Sequence, residues 1–267
     1  MSYETLRIER KDKGIVWVTI DNPPANALSE NLMNDFERLV DELSSDKKAR
    51  VVVLASANEK IFVAGADLKG MIQSGSQFAG NEAGISEQSG RMQKCFDRFA
   101  AMPIPVIAMI NGHALGGGCE LAMACDFRIM AQGKGKIGLT EVSLGLIPGA
   151  GGTQRMTRLL GRAKATELIF LSKRLDAEEA FEVGLINQVA TPETLEEETL
   201  AFAEELAEGA VRAMGLAKQA INAAEGPIEE GMKVEADAFA KTFKTGEPGI
   251  GLAAFFQRKK ANFLPKK

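Results

Sequence analysis

Two glutamates in this chain stand where a solvated carboxylate is out of place. Glu120 follows the run Gly116-Gly117-Gly118 and sits on the first turn of an apolar helix, and Glu141 lies at the end of a short strand, just before SLGLIPGAGG. Acids are seldom buried among small apolar neighbours without a partner or a task. Burial raises a carboxyl pKa, and a second acid sharing the site pushes one of the two higher still. One is then protonated near neutrality while the other stays ionised, which supplies an acid and a base together. The competing assignment makes each glutamate an anchor paired with Arg128, Arg155 or Arg158. For one embedded glutamate the anchor is the better choice; two, each beside a glycine-rich turn, favour chemistry.

The glycines sharpen that reading. Glycine lacks a β-carbon, so a loop built from it brings backbone N–H groups close to a ligand, and the first N–H groups of a helix have no internal acceptor and carry partial positive charge. Residues 116–118 thus offer donors to a developing oxyanion beside Glu120, an arrangement suited to acid–base chemistry on a carbonyl compound. The second run, GAGGTQR at 149–155, fails the dinucleotide pattern at Gln154 and lacks the lysine of a P-loop. It reads as tight packing that positions Glu141. His113, the single histidine, reads as a structural or pocket-lining side chain, and Cys119 as an inert thiol on an apolar helix.

The elements that must carry these residues alternate. Residues 14–20 (GIVWVTI) form a buried strand closed by Asp21-Asn22-Pro23-Pro24; Ser29 caps a helix with Leu32, Met33, Phe36, Leu39, Val40 and Leu43 on one face; residues 50–55 and 61–63 are strands. Strand, helix and strand at this spacing predict an α/β layered core. Residues 70–90 carry five glycines and weak periodicity, and read either as a flap or irregular helix beside a pocket, or as an uninvolved surface loop. A helix over 91–101 leads into the apolar strand 106–110, and after the Glu120 helix come strands at 127–130 and 137–141. Helices follow from about Thr153 and over 163–172, with Gly161 between them as a left-handed C′ residue. Asp176 and Glu179 form a capping pair for a short helix that stops at Gly184. From Pro192 strand signals vanish and Ala, Glu, Lys and Leu build a run of helices.

Composition removes other function classes. Thirty-two Lys and Arg against 36 Asp and Glu give a net charge of −4, whereas nucleic-acid binders usually carry a basic excess. No apolar run reaches the length that spans a bilayer, and the N-terminal residues lack a signal core, so a cytoplasmic chain without membrane or nucleic-acid partners is expected. Three cysteines without CxxC spacing fit reduced, buried thiols. A single histidine excludes multi-histidine metal sites, and no metal is expected.

NPPANAL (22–28), IFVAGADLK (61–69), NGHALGGGCELAMACD (111–126), EVSLGLIPGAGGTQR (141–155) and FFQRKKANF (255–263) together resemble the crotonase superfamily, specifically its enoyl-CoA hydratases, over nearly the whole chain and in the family's order. The resemblance implies an α/β fold with a spiral core of ββα units, residues 1–191, followed by a C-terminal helical trimerisation region, residues 192–267, in a homotrimer or a dimer of trimers. It places the two oxyanion N–H groups on Ala66 and Gly117 and the catalytic pair on Glu120 and Glu141, which hold one water between them. Ala25, Ala27, Ala64, Asp67 and Leu68 fall where family members contact CoA. Phe255 and Arg258 fall where C-terminal residues reach a neighbouring subunit's CoA, often through Lys at the latter position. The implied reaction adds water across a trans-2-enoyl thioester, with no cofactor beyond the CoA of the substrate.

Related isomerases often keep only the acid matching Glu141, and other members rearrange the pair for hydrolysis or decarboxylation. Some members also bind RNA or serve as assembly subunits, readings opposed here by the acidic balance and by the retained pair. One departure stands out: many hydratases have Pro before the second glutamate, where this chain has Thr140, which lifts a φ constraint and adds a hydroxyl.

Overall fold

A computed structural model describes residues 3–66 and 81–265. Each turn of the chain places one strand in a large sheet and the next in a small one, then returns through a helix. β1 (Leu6–Arg10) pairs antiparallel with β2 (Ile15–Ile20), and every later pair is parallel. The large sheet takes β3 (Val51–Ser56), β5 (Val106–Ile110), β7 (Phe127–Ala131) and β9 (Gln188–Ala190) in the order β1-β2-β3-β5-β7-β9. The small sheet takes β4 (Ile61–Val63), β6 (His113–Leu115) and β8 (Ile137–Gly138). A bridge between Leu28 and Ala66 continues the same alternation at the start of the spiral. This is the expected ββα spiral.

Strand residues sort by parity, as a period of two requires. Val52, Leu54, Val106 and Ala108 face the main core, which they share with the inner faces of α1 (Glu30–Ser45) and α2 (Glu82–Ala100). Phe36 of α1 meets Phe99 of α2 edge to face, with ring centroids 5.5 Å apart. Val51, Val53, Ile107 and Ile129 face the other way onto α6 (Leu195–Glu208), whose Leu195, Ala203 and Ala207 are buried against them. The sheet is therefore covered on both faces, the usual condition of parallel strands.

Local signals hold where they are strong. Ser29 Oγ accepts the Leu32 N–H at 3.3 Å, and all six expected apolar residues of α1 are buried. Asp176 and Glu179 form a reciprocal capping box on α5 (Ala177–Glu182), and Gly184 ends the turn after it at φ +80°. Other expectations shift. β1 and β6 carried no sequence signal, because one is mostly exposed and the other spans three residues. The helix expected over 91–101 begins at Glu82, with Asn81 Oδ1 accepting the Gly84 N–H, so of the flap, irregular helix or loop expected over 70–90, residues 82–90 are helical; residues 70–80 lie outside the described residues. The strand expected over 137–141 ends at Gly138, and Glu141 opens a 3-10 turn, Glu141–Leu144, instead. Gly161 is the one non-helical residue within α4 (Gly152–Phe170), at φ +77° and ψ 157°; its φ is positive but its ψ is extended, so it kinks the helix instead of capping it left-handed.

Beyond α6, α7 (Val211–Ala223) is tied to the core by Lys218, whose ammonium donates to the Ile104 carbonyl at 2.7 Å and pairs with Asp126 at 2.6 Å. α8 (Ile228–Thr242), its C-cap Phe243 and α9 (Glu247–Phe256) carry exposed Phe239, Phe243, Phe255 and Phe256. Among the described residues no helix is long and apolar enough to cross a membrane.

Candidate active site

α3 (Gly117–Ala124) is buried along its whole length and starts at Gly116, whose φ of +54° and ψ of −122° suit glycine alone. Close approach explains its neighbours. A Cβ on Gly117 would sit 2.4 Å from Leu28 Cδ1, and one on Gly118 would sit 2.0 Å from the Val63 carbonyl oxygen. The N-terminus of α3 is thus pressed against the 63–66 segment, where Gly65 adopts φ +97° and accepts the Leu28 N–H at 2.8 Å. Ala66 and Gly117 line one cavity with Glu120 and Glu141. Its volume, about 1690 Å³, exceeds the several hundred Å³ of ordinary small-molecule sites and suits an extended ligand.

The glutamates are held differently. Glu120 is 2% exposed, and its Oε1 accepts the Ala150 N–H at 2.8 Å and the Gly152 N–H at 2.7 Å. The 149–152 glycine run therefore positions Glu120, correcting the expectation that it serves Glu141. A Cβ on Gly152 would lie 2.9 Å from both Cγ and Oε1 of Glu120, so glycine is needed for the amide to come this close. Burial pushes the Glu120 carboxyl up to about 7, with the Glu141 charge adding to the rise and the Gly152 and Ala150 N–H groups and Arg155 opposing it. Burial also raises the Glu141 carboxyl. Its Oε2 is buried without a hydrogen-bond partner among the described residues, and its Oε1 is 2.9 Å from where a Cβ on Gly116 would be.

The anchor assignment fails. Arg128 donates to the carbonyls of Leu185, Ala122 and Cys125, Arg155 to Ala150 O and Asp97, and Arg158 to Glu225. Among the described residues none of the three forms a salt bridge with Glu120 or Glu141; Arg155 acts on Glu120 only through its charge.

The sequence pattern of the enoyl-CoA hydratase/isomerase family matches residues 10–266. The chain is 40% identical to a crotonyl-CoA hydratase of Syntrophomonas wolfei over 100% of both chains. It is 37% identical to a short-chain-enoyl-CoA hydratase of Clostridium acetobutylicum, covering 97% of each. The chain belongs to this family. The crystal structure of an enoyl-CoA hydratase from Bacillus anthracis superposes with a TM-score of 0.88 at 36% identity, covering 98% of this chain and 100% of that one.

Set against the residues the family resemblance implies, the structure gathers some and not others. Ala64 lines the cavity, and its N–H donates to the Ala25 carbonyl at 3.2 Å, so the 22–28 loop rests on the 64–66 segment. Ala25 and Ala27 are half-buried in that loop. Asp67 and Leu68 lie outside the described residues. Phe255 and Arg258 are exposed and do not line the cavity within this chain. Thr140 lines it, with φ −109°, well away from the value near −65° that proline imposes. A proline here would need a different backbone ahead of Glu141. The Thr140 carbonyl instead accepts the Ser143 hydroxyl at 2.6 Å.

His113 is structural, its Nδ1 accepting the Lys136 N–H at 3.1 Å. The three thiols are free and buried, and burial raises Cys119 well above the usual range. Sequence reasoning missed Asn26. Its buried side chain receives the Asn22 N–H and donates to Ser56 Oγ at 2.8 Å and to the Phe62 carbonyl at 3.1 Å, with the Ile20 carbonyl 3.4 Å away. Its φ of +51° is a conformation that asparagine tolerates, and nothing in the sequence alone marks it.

Proposed function

We propose that the chain hydrates trans-2-enoyl-CoA thioesters, with Glu120 and Glu141 holding one water between them and the N–H groups of Ala66 and Gly117 receiving the thioester oxygen. By family and by its full-length relatives the chain is an enoyl-CoA hydratase; the residue roles are our reading. One observation carries it: the buried Glu120 and the half-buried Glu141, both with raised pKa values, share a cavity with the N-terminus of α3 and with Ala66.

In this reading the pair carries one proton in total at neutral pH. The ionised carboxylate takes a proton from the water as its oxygen forms the bond to C3. The C2=C3 electron pair shifts toward the thioester, whose oxygen gains charge against the two N–H groups. The protonated carboxyl then delivers its proton to C2. One proton leaves the water and one leaves the acid, so the pair ends as it began, with one. Each oxyanion donor typically contributes a few kcal/mol, and general acid–base transfer ~10²–10⁴-fold.

The reaction needs no separate cofactor, because CoA arrives as part of the substrate. CoA would contact Ala25, Ala27, Ala64, Asp67 and Leu68, and Phe255 and Arg258 of a neighbouring copy, in a homotrimer or a dimer of trimers. The exposed phenylalanines of α8 and α9 support such an assembly. Both acids being present favours hydration over isomerisation, which needs one. Crotonyl-CoA and its 3-enoyl isomer separate the two readings. Hydration predicts loss of the conjugated enoyl-thioester absorbance and formation of 3-hydroxybutyryl-CoA. Conversion of the 3-enoyl thioester without hydration of crotonyl-CoA would overturn the reading.

A further inference from the structure

The grip on Glu120 does not end at the two amides. The peptide unit joining Gly149 to Ala150 presents its N–H to Glu120 Oε1, and its carbonyl faces α2. There the Ser89 hydroxyl donates to the Gly149 carbonyl at 2.6 Å and the Gln93 amide donates to the same oxygen at 2.9 Å. Asp97, one turn further on, receives the Arg155 guanidinium, which also donates to the Ala150 carbonyl at 2.8 Å. Positions 89, 93 and 97 recur every four residues and share one face of the helix. That face is polar and aimed at a single loop, an arrangement that packing alone does not require.

We propose that Ser89 and Gln93 are positioning residues for Glu120: by fixing the Gly149 carbonyl they aim and polarise the amide that holds its carboxylate. Hydrogen bonds in series strengthen one another, so donors on the carbonyl make the N–H of the same peptide a better donor to the carboxylate, and a carboxylate that accepts stronger bonds ionises more readily. The charged and titratable groups around Glu120 are Glu141 from the turn at 141–144, Arg155 from α4 with Asp97 behind it, and Cys119 beside it on α3. Asp126 and Arg128 line the same cavity. Removing the Ser89 hydroxyl and the Gln93 amide leaves all of these in place, so a change in Glu120 ionisation reports the relay.

The kinetic side of this inference rests on the role proposed for Glu120, and the titration side does not. Ser89 is half-buried and Gln93 exposed, so Ser89→Ala, Gln93→Leu and the double variant test it in the full-length protein. The readouts are a carbon-13 titration of labelled glutamate side chains, with the Glu120 signal assigned by its absence in Glu120→Gln, and kcat and KM for crotonyl-CoA against pH. In the double variant the Glu120 titration moves upward by roughly half a pH unit or more, kcat at pH 7 falls roughly 3–10-fold with KM nearly unchanged, and the pH profile shifts in the same direction. Ser89→Thr, which keeps the hydroxyl, holds the parent titration. A Glu120 titration that superposes on the parent's in the double variant overturns the inference, whatever happens to kcat. A shifted titration in a protein with no hydratase activity supports the relay and rejects the proposed reaction instead.

Discussion

Replacing Gly152 by alanine adds one methyl group at the point where Glu120 is gripped. The added Cβ would fall 2.9 Å from Glu120 Cγ, 2.9 Å from Glu120 Oε1 and 2.9 Å from Leu139 Cδ2. Ordinary carbon contacts lie near 3.5–4.0 Å, so these atoms must recede by about half an ångström or more. The Gly152 N–H to Oε1 bond, now 2.7 Å, is stretched or lost, and a bond to a charged acceptor contributes about 1.5–3 kcal/mol. Backbone strain does not enter, since the φ of Gly152 is not positive. Overpacking costs about 1–3 kcal/mol, offset by up to ~1 kcal/mol from the helical preference for Ala over Gly. With the weakened hydrogen bond included, the net loss is about 1.5–6 kcal/mol, the low end applying if the bond is only stretched, and it lowers Tm by roughly 3–24 °C for a chain of this size.

The catalytic loss is a separate effect, because a misplacement near 1 Å costs about 10²-fold. Gly152→Ala is expected to lower kcat on crotonyl-CoA by roughly 30–100-fold with a smaller change in KM, in a protein that circular dichroism shows to be folded. A kcat within about threefold of the parent's would refute the reasoning, since it would mean that Glu120 tolerates displacement from its amides.

Stability should depend on pH through the same group. The Glu120 pKa is raised to about 7 in the folded chain, so the folded state holds a proton that the unfolded chain releases near its ordinary value. The resulting stabilisation is full below that ordinary value, near 4.5, and is lost as pH rises through about 7. Glu120→Gln should therefore raise stability relative to the parent at pH 8, by up to about 3 kcal/mol, and change it little at pH 4.5; equal effects at both, measured by denaturant melts, would contradict the burial of that charge. Gly116→Ala should also lower kcat, because its Cβ would press on Glu141 Oε1 at 2.9 Å from a backbone at φ +54°; parent-level kcat would show that Glu141 is not held there for catalysis. Phe239→Asp with Phe243→Asp should reduce the mass found by sedimentation velocity from about three or six chains to one, if these exposed rings are covered in the assembly; an unchanged mass would place the interface elsewhere.

Much of this architecture could be read from residues close together in the chain. The Leu32–Leu43 stripe, the Ser29 cap and the Asp176–Glu179 box are interactions within a few residues, and each left a local pattern. The glutamate pair was legible because acids beside glycine runs are chemically out of place. What the glycines of 149–152 do was not legible, because their amides reach back 30 and 32 positions to Glu120, and nothing local distinguishes that from service to nearby Glu141. Ser89 and Gln93 were hidden for the same reason. They sit in or beside a glycine-containing stretch with little apolar periodicity, and the loop they hold is some 60 residues away. β6 escaped because three residues carry no period, and its strand character comes from pairing with β4 and β8.

The shared water is tested most directly by kcat for crotonyl-CoA in Glu120→Gln, Glu141→Gln and the double variant. Each single change should cost about 10²–10⁴-fold, and the double variant should fall little below the weaker single, because both acids serve one water and one proton. Single variants at the parent's rate, or losses that multiply independently in the double, would contradict it.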